Sequence, residues 1–198
     1  IPVDAINKLL RAPTTRQVTN DQEFFFEARE PGAPYVLTCD PAGFGETGDP
    51  SAVTVWHGWD QREVASWSGR LDPGRLADLI LRWQKAFDAD VVVESNKGEC
   101  CSALLSRGCP KMHWSSSGQP GWYSTDIAKG AALADLVDML RRQEILPVSG
   151  DTLTQLATWD GKTRKRTGGH HFDRAVTCLI FAYAARVLGY GNRPRVVP

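Results

Sequence analysis

The sequence predicts an α/β domain in which a mixed central sheet, opening as an antiparallel meander and continuing with parallel strands, is covered by helices on both faces. Three observations carry this. Three β-type runs follow one another between Tyr35 and Trp67 with only short connections, which implies an antiparallel meander. Val91-Val92-Val93 is the unbroken apolar run of a strand buried on both sides. Helical and extended segments then alternate and close on a long helix.

In chain order, Asp4–Arg11 suits a short lead-in helix, and the stretch to Pro34 is polar, rich in Thr and Pro, and expected to be irregular apart from Phe24–Phe26. Tyr35–Asp40, Ser51–Trp56 and Glu63–Trp67 read as the meander strands, with a glycine-rich turn after the first. Pro73–Ala86 carries Leu76, Leu79, Ile80 and Trp83 at helical spacing, with Pro73 suited to a first turn. Ala89–Glu94 is a buried strand that ends in an acid, Gly98–Arg107 a helix and Lys111–Trp114 a short strand. Thr125–Arg142 reads as a helix with Thr125 as N-cap, Ile145–Val148 as a strand, and Asp151–Trp159 and His171–Leu188 as the closing helices. The expectation is a single domain over 1–198, with 1–34 a partly irregular lead-in.

Composition bounds the function. With 198 residues, 42% of them hydrophobic, the chain suffices for one domain with a sizeable core. Its apolar runs fall far short of the roughly 20 residues that span a bilayer, and no charged-then-apolar leader opens it, which reads as a soluble intracellular protein. Cys39, Cys100, Cys101, Cys109 and Cys178 are odd in number and lack paired C-x-x-C spacing, so reduced thiols are favoured over a zinc ribbon or a disulfide framework. With 23 basic and 23 acidic residues, net charge does not argue for nucleic acid; only distribution does. Lys162-Thr163-Arg164-Lys165-Arg166 places four cations in five positions between glycines, as either a cationic loop near a polyanion or a solvated surface loop. The chain opens on Ile1 and has no P-loop, which reads as an excised piece whose motor, if any, lies elsewhere.

Three acids stand where chemistry is placed in open α/β sheets. Asp40 and Glu94 end predicted strands, and Asp173 lies near the start of the last helix. A carboxylate closing a buried apolar run is costly unless solvated, paired or bound to a cation. Together the three form a hard-oxygen set of the kind Mg²⁺ or Mn²⁺ prefers, and two such ions would clamp the attacking and leaving oxygens of a phosphodiester. Each acid alone also fits a structural role: Asp40 capping the next turn, Glu94 capping the next helix, Asp173 satisfying a helix N-terminus.

Gly43-Phe44-Gly45-Glu46-Thr47-Gly48 matches a dinucleotide-binding pattern, but that pattern needs a helix to open at its glycines, and Pro50 with Val53-Thr54-Val55 predicts a strand. The glycines read instead as a hairpin clearing space beside Asp40, with Asp49 a further candidate ligand.

In this order the motifs resemble the C-terminal nuclease domain of large terminase subunits from tailed bacteriophages, an RNase H-like fold. Tyr35–Gly43 with Gly48–Ala52 resembles that family's first strand, turn and second strand. Val92-Val93-Glu94-Ser95-Asn96-Lys97-Gly98 resembles its second acidic motif, Gly121-Trp122-Tyr123-Ser124-Thr125 with Lys129 its Gly-Trp…Thr…Lys segment, and Gly169–Val176 its closing Gly-His-Asp-Asp segment. Phe172 departs from the pattern, standing where the family often has a first acid, so the weight falls on Asp173 and a role for His170 or His171 at a metal stays open beside helix capping.

The resemblance implies a Mg²⁺- or Mn²⁺-dependent endonuclease that cuts concatemeric double-stranded phage DNA during packaging in the host cytoplasm. It further implies an ATPase domain preceding Ile1, and portal protein and small terminase subunit as partners. Asp40, Glu94 and Asp173 would be catalytic, with Lys129, Lys162, Arg164, Lys165 and Arg166 on phosphates; Arg174 suits a structural ion pair better than DNA. The alternatives are an RNase H-like nuclease of transposase or resolvase type, and a noncatalytic DNA-binding or docking module; a nicotinamide enzyme ranks last.

Overall fold

The computed structural model describes residues 4, 17–18, 23–41, 50–159 and 172–191. The glycine turn with Asp49, the basic run Lys162–Arg166, and His170 and His171 lie outside the described residues, as does the lead-in helix apart from Asp4, which is helical.

Among the described residues six strands form one sheet: β1 (Gln17–Val18), β2 (Glu23–Phe25), β3 (Tyr35–Asp40), β4 (Ser51–His57), β5 (Arg62–Gly69) and β6 (Asp90–Val93). Their order is β1-β2-β5-β4-β3-β6, antiparallel throughout except that β6 lies parallel to β3. The expected meander is β3-β4-β5. Two short strands precede it, β2 overlapping the Phe24–Phe26 stretch set apart from the irregular lead-in and β1 lying within the part expected to be irregular; they extend the β5 edge through pairs such as Phe24 with Ser66.

Five helices follow among the described residues: α1 (Pro73–Phe87), α2 (Glu99–Ser106), α3 (Asp126–Arg141), α4 (Gly150–Thr158) and α5 (Asp173–Leu188). Asp72 caps α1 by accepting the Arg75 N–H at 3.0 Å, with Pro73 in the first turn. Thr125 caps α3 as expected, accepting from Ala128 N at 3.1 Å. Two expected strands are reduced to single bridges: in Lys111–Trp114, Met112 pairs Val91 and Trp114 pairs Pro120, and in Ile145–Val148, Leu146 pairs Arg62. Each has a partner for only a residue or two, too little to extend a ladder.

Helices cover both faces of the sheet. Leu37, Cys39, Val53, Val55, Val91 and Val93 pack against α1 and α2 on one face, while Val36, Trp56 and Val92 pack against α3, α4 and α5 on the other. The period-two alternation of strand side chains makes this division. All five cysteines are free thiols. Burial pushes the Cys39 and Cys178 thiols well up and Cys101 up to about 12, so none of the three is a ready thiolate. Among the described residues no helix is long and apolar enough to cross a membrane.

The placement of α5 matters most for the site, and a line of buried hydroxyls sets it. The Trp56 indole N–H donates to Thr38 Oγ1 at 3.1 Å, and Thr38 donates in turn to the Thr54 carbonyl at 3.3 Å. Thr54 Oγ1 meets Thr177 Oγ1 at 2.9 Å, while Thr177 donates to the Arg174 carbonyl at 2.7 Å. Satisfied in this way, the polar groups tolerate full burial and pin the helix to one register. One turn on, Phe181 stacks on Trp56 at 4.6 Å.

Candidate metal centre

β3 and β6 run parallel with Cys39 opposite Val93, and Glu94 N donates to the Cys39 carbonyl at 3.0 Å. The next position on each strand is an acid. Asp40 and Glu94 are thus register neighbours at the C-terminal edge, both buried, with 4% and 3% of their surfaces exposed. By parity both project to the face that carries Val36 and Val92, the side on which α5 lies. Neighbouring strands are about 4.8 Å apart. Two charged carboxylates at about 5 Å repel by about 3 kcal/mol at an effective dielectric of 20. An acid pair of this kind calls for cationic compensation.

Asp173 is brought to the same end. From Thr177 to Phe181, α5 passes from the level of Thr54 and Thr38 to that of Trp56 and Val36, so its N-terminus points toward the Asp40 edge. Asp173 precedes Thr177 by one turn, roughly 6 Å of rise, and Asp40 lies two strand residues beyond Thr38, roughly 6.6 Å. Spaced i, i+4 from Thr177, Asp173 shares its helical face. It opens α5 as its first-turn acid, half-buried, after an N-cap Phe172 that makes no side-chain cap bond. Among the described residues, however, no three His, Cys, Asp or Glu side chains close into a metal-ligating cluster. Of the expected triad, Asp40 and Glu94 stand side by side, with Asp173 at the same end.

Glu94 does not cap the helix after it; Gly98 is the N-cap of α2, without a side-chain bond. Two of its partners come from residues thirty or more positions away. Ser124 Oγ donates a short hydrogen bond to Glu94 Oε1, and the Lys129 ammonium stands 3.5 Å from the same oxygen. Asn96 holds Ser124 by both ends of its amide, Nδ2 donating to the Ser124 carbonyl at 3.1 Å and Oδ1 accepting the Ser124 N–H at 2.8 Å. Asn96 and Ser124 were not assigned roles from sequence, although both lie in the motifs quoted above. A usable signal was the amide two residues past a strand-end acid, placed to bind main chain across the edge.

Gly121 makes this crossing possible. At φ +77° its Cα approaches the sheet edge so closely that a Cβ would lie 2.4 Å from the Val93 carbonyl oxygen. The chain then forms Trp122 N–H to Val93 O at 2.8 Å and Ser95 N–H to Trp122 O at 2.9 Å. The Trp122 ring stacks on Tyr183 of α5 at 5.2 Å, tying this segment to the helix that carries Asp173. Lys129, expected on DNA phosphate, has a carboxylate as its partner here, and Arg174 is buried, donating to Ser66 Oγ at 2.8 Å.

The fold and edge define a class first: an α/β protein of RNase H-like type with an acidic pair at the C-terminal ends of β3 and of the parallel strand β6 beside it. The sequence matches no protein-family model and no curated protein. Among solved structures the chain is similar to the large terminase nuclease from thermophilic phage G20c, with TM-score 0.69 and 17% identity over 92% of this chain and 96% of that one. The same nuclease with bound magnesium gives TM-score 0.67 at 16% identity, covering 92% and 95%. The Thermus phage P74-26 large terminase nuclease domain gives 0.65 at 16%, covering 92% and 94%. At such identities the likeness is one of fold, and it bears out the RNase H-like class expected from the motifs.

Proposed function

We propose that this chain is a divalent-metal-dependent DNA endonuclease that cuts concatemeric phage DNA during genome packaging in the host cytoplasm. The observation that carries the reading is the pair Asp40 and Glu94, buried at adjacent ends of β3 and β6 within a fold shared with large terminase nucleases. The donor chemistry fits a hard cation: two carboxylates at adjoining strand ends, one of which already draws an ammonium. The magnesium-, zinc- and cobalt-bound forms of the similar G20c nuclease add support.

Asp40 and Glu94 are assigned as metal ligands with Asp173 as the third acid; Asp49, His170 and His171 are further candidates on sequence alone. Mg²⁺ or Mn²⁺, as two ions, would supply Lewis-acid chemistry for hydrolysis of a phosphodiester. The protein's own part is to hold the carboxylates ready. Ser124 restricts Glu94 to one orientation, Asn96 fixes Ser124, and burial keeps bulk water from screening the site. Lys162, Arg164, Lys165 and Arg166 are assigned to the phosphates of duplex DNA. An ATPase domain of the same polypeptide, the portal protein and the small terminase subunit complete the proposed partners.

Plasmid cleavage tests this. With Mn²⁺ the parent should nick and linearise supercoiled DNA, and Asp40→Ala should slow cutting at least about a hundredfold, of the order seen when a group acting in the transition state is removed. A folded Asp40→Ala protein that cuts as fast as the parent would overturn the assignment.

A further inference from the structure

We propose that Lys129 is the built-in counter-ion of the acid pair, seated on Glu94 until a divalent cation displaces it, after which its ammonium meets the substrate phosphate; this rests on the metal-dependent reading above. Lys129 projects from the second turn of α3, directly after the Thr125 cap. Its ammonium is 3.5 Å from Glu94 Oε1, and among the described residues Glu94 is its ion-pair partner. The two side chains are unequally buried: Glu94 is 3% exposed and Lys129 32%. The carboxylate is fixed, whereas the lysine reaches it from the solvent side on a flexible four-carbon stem and leaves without unpacking the core.

Two further features favour a replaceable cation over a permanent salt bridge. Ser124 donates to the same Oε1 and is itself clamped by Asn96, so Glu94 keeps its orientation when the lysine departs. Asp40 at the neighbouring strand end adds a second anion, and two adjoining carboxylates attract a doubly charged ion more strongly than a single ammonium. A cation held by Oε1 and an ammonium beside that oxygen repel each other. The lysine therefore has to turn outward, toward the side from which a polyanion arrives.

The test is calorimetric titration of Mn²⁺ into the parent, Lys129→Met and Lys129→Arg proteins, with thermal melts as a check on folding and plasmid cutting measured in parallel. Removing the competing charge should tighten Mn²⁺ binding by about five- to tenfold in Lys129→Met, with Lys129→Arg close to the parent. Saturated with Mn²⁺, Lys129→Met should nevertheless cut more slowly than the parent, because the phosphate contact is gone. Tighter metal with slower cutting is a combination that neither a structural salt bridge nor a remote DNA contact produces. Unchanged or weaker Mn²⁺ affinity in a folded Lys129→Met protein, with the parent binding normally, overturns the lysine's role and leaves the nuclease reading standing. Tighter binding with undiminished cutting overturns the phosphate contact. Absence of Mn²⁺ binding in parent and variants alike overturns both readings.

Discussion

Gly121→Ala should loosen the whole acidic edge, and the structure supplies the size of the effect. Gly121 sits at φ +77°, where an alanine costs about 1 kcal/mol. Its new Cβ would lie 2.4 Å from the Val93 carbonyl oxygen, 3.2 Å from Cys101 Sγ and 3.3 Å from Ser95 Cβ. The atom struck is main chain, so relief requires parting the Trp122 segment from β6. That sacrifices the 2.8 Å bond from Trp122 N–H to Val93 O, worth about 1 kcal/mol. Overpacking against Cys101 and Ser95 adds at least about 1 kcal/mol. The expected loss is about 3 kcal/mol, or a melting point lower by roughly 6–12 °C for a domain of this size.

Gly130 provides an internal control. It lies within α3 with open space around its missing Cβ, so Gly130→Ala should stabilise by about 0.5–1 kcal/mol. The same chemical change thus has opposite signs at two positions nine residues apart. Thermal unfolding followed by circular dichroism measures both, and Mn²⁺ calorimetry on Gly121→Ala should show weakened binding because Glu94 follows Val93. A Gly121→Ala melt within about 1 °C of the parent would refute the close-approach argument.

Glu63→Ala should cost about 3 kcal/mol or more, because the buried carboxylate accepts the Val148 and Ser149 N–H groups at 2.7 and 2.8 Å and the Thr152 hydroxyl at 3.2 Å. Urea unfolding measures it, and a loss under about 1 kcal/mol would show that water replaces those bonds. His113 predicts a pH effect. Burial holds its imidazole below the ordinary 6.5, with the Asp90 carboxylate opposing only in part. Below 6.5 the unfolded chain takes up a proton that the fold refuses, so the contribution is intact above 6.5 and lost as pH falls. Stability measured between pH 7.5 and 5 should fall less steeply in His113→Asn than in the parent; equal slopes would assign the acid sensitivity elsewhere.

How much of the site was legible in the sequence differs from residue to residue. Asp40 and Glu94 were legible because a charged residue closing a β-branched apolar run is anomalous, and the anomaly is local. Asp173 was found by its motif, and its level at the sheet edge follows from the Thr177–Thr54 and Phe181–Trp56 contacts. Asn96 carried a signal in its amide two residues past a strand-end acid, but Ser124 had none, and only the chain crossing at Gly121 brought the two together beside Glu94. The same limit applied to the sheet. β1 and β2 are two and three residues long, below any periodicity, and exist because β5 offers an edge to pair with.

The sequence by itself determined the order of the principal elements, the two-faced sheet and the strand-end acids, because apolar periodicity, caps and turn residues act over a few positions. Tertiary structure alone decided that β6 inserts parallel beside β3, making Asp40 and Glu94 neighbours, and that Lys129 answers Glu94. Those pairings join residues 54 and 35 positions apart in the chain through backbone register and close packing, which no local pattern encodes.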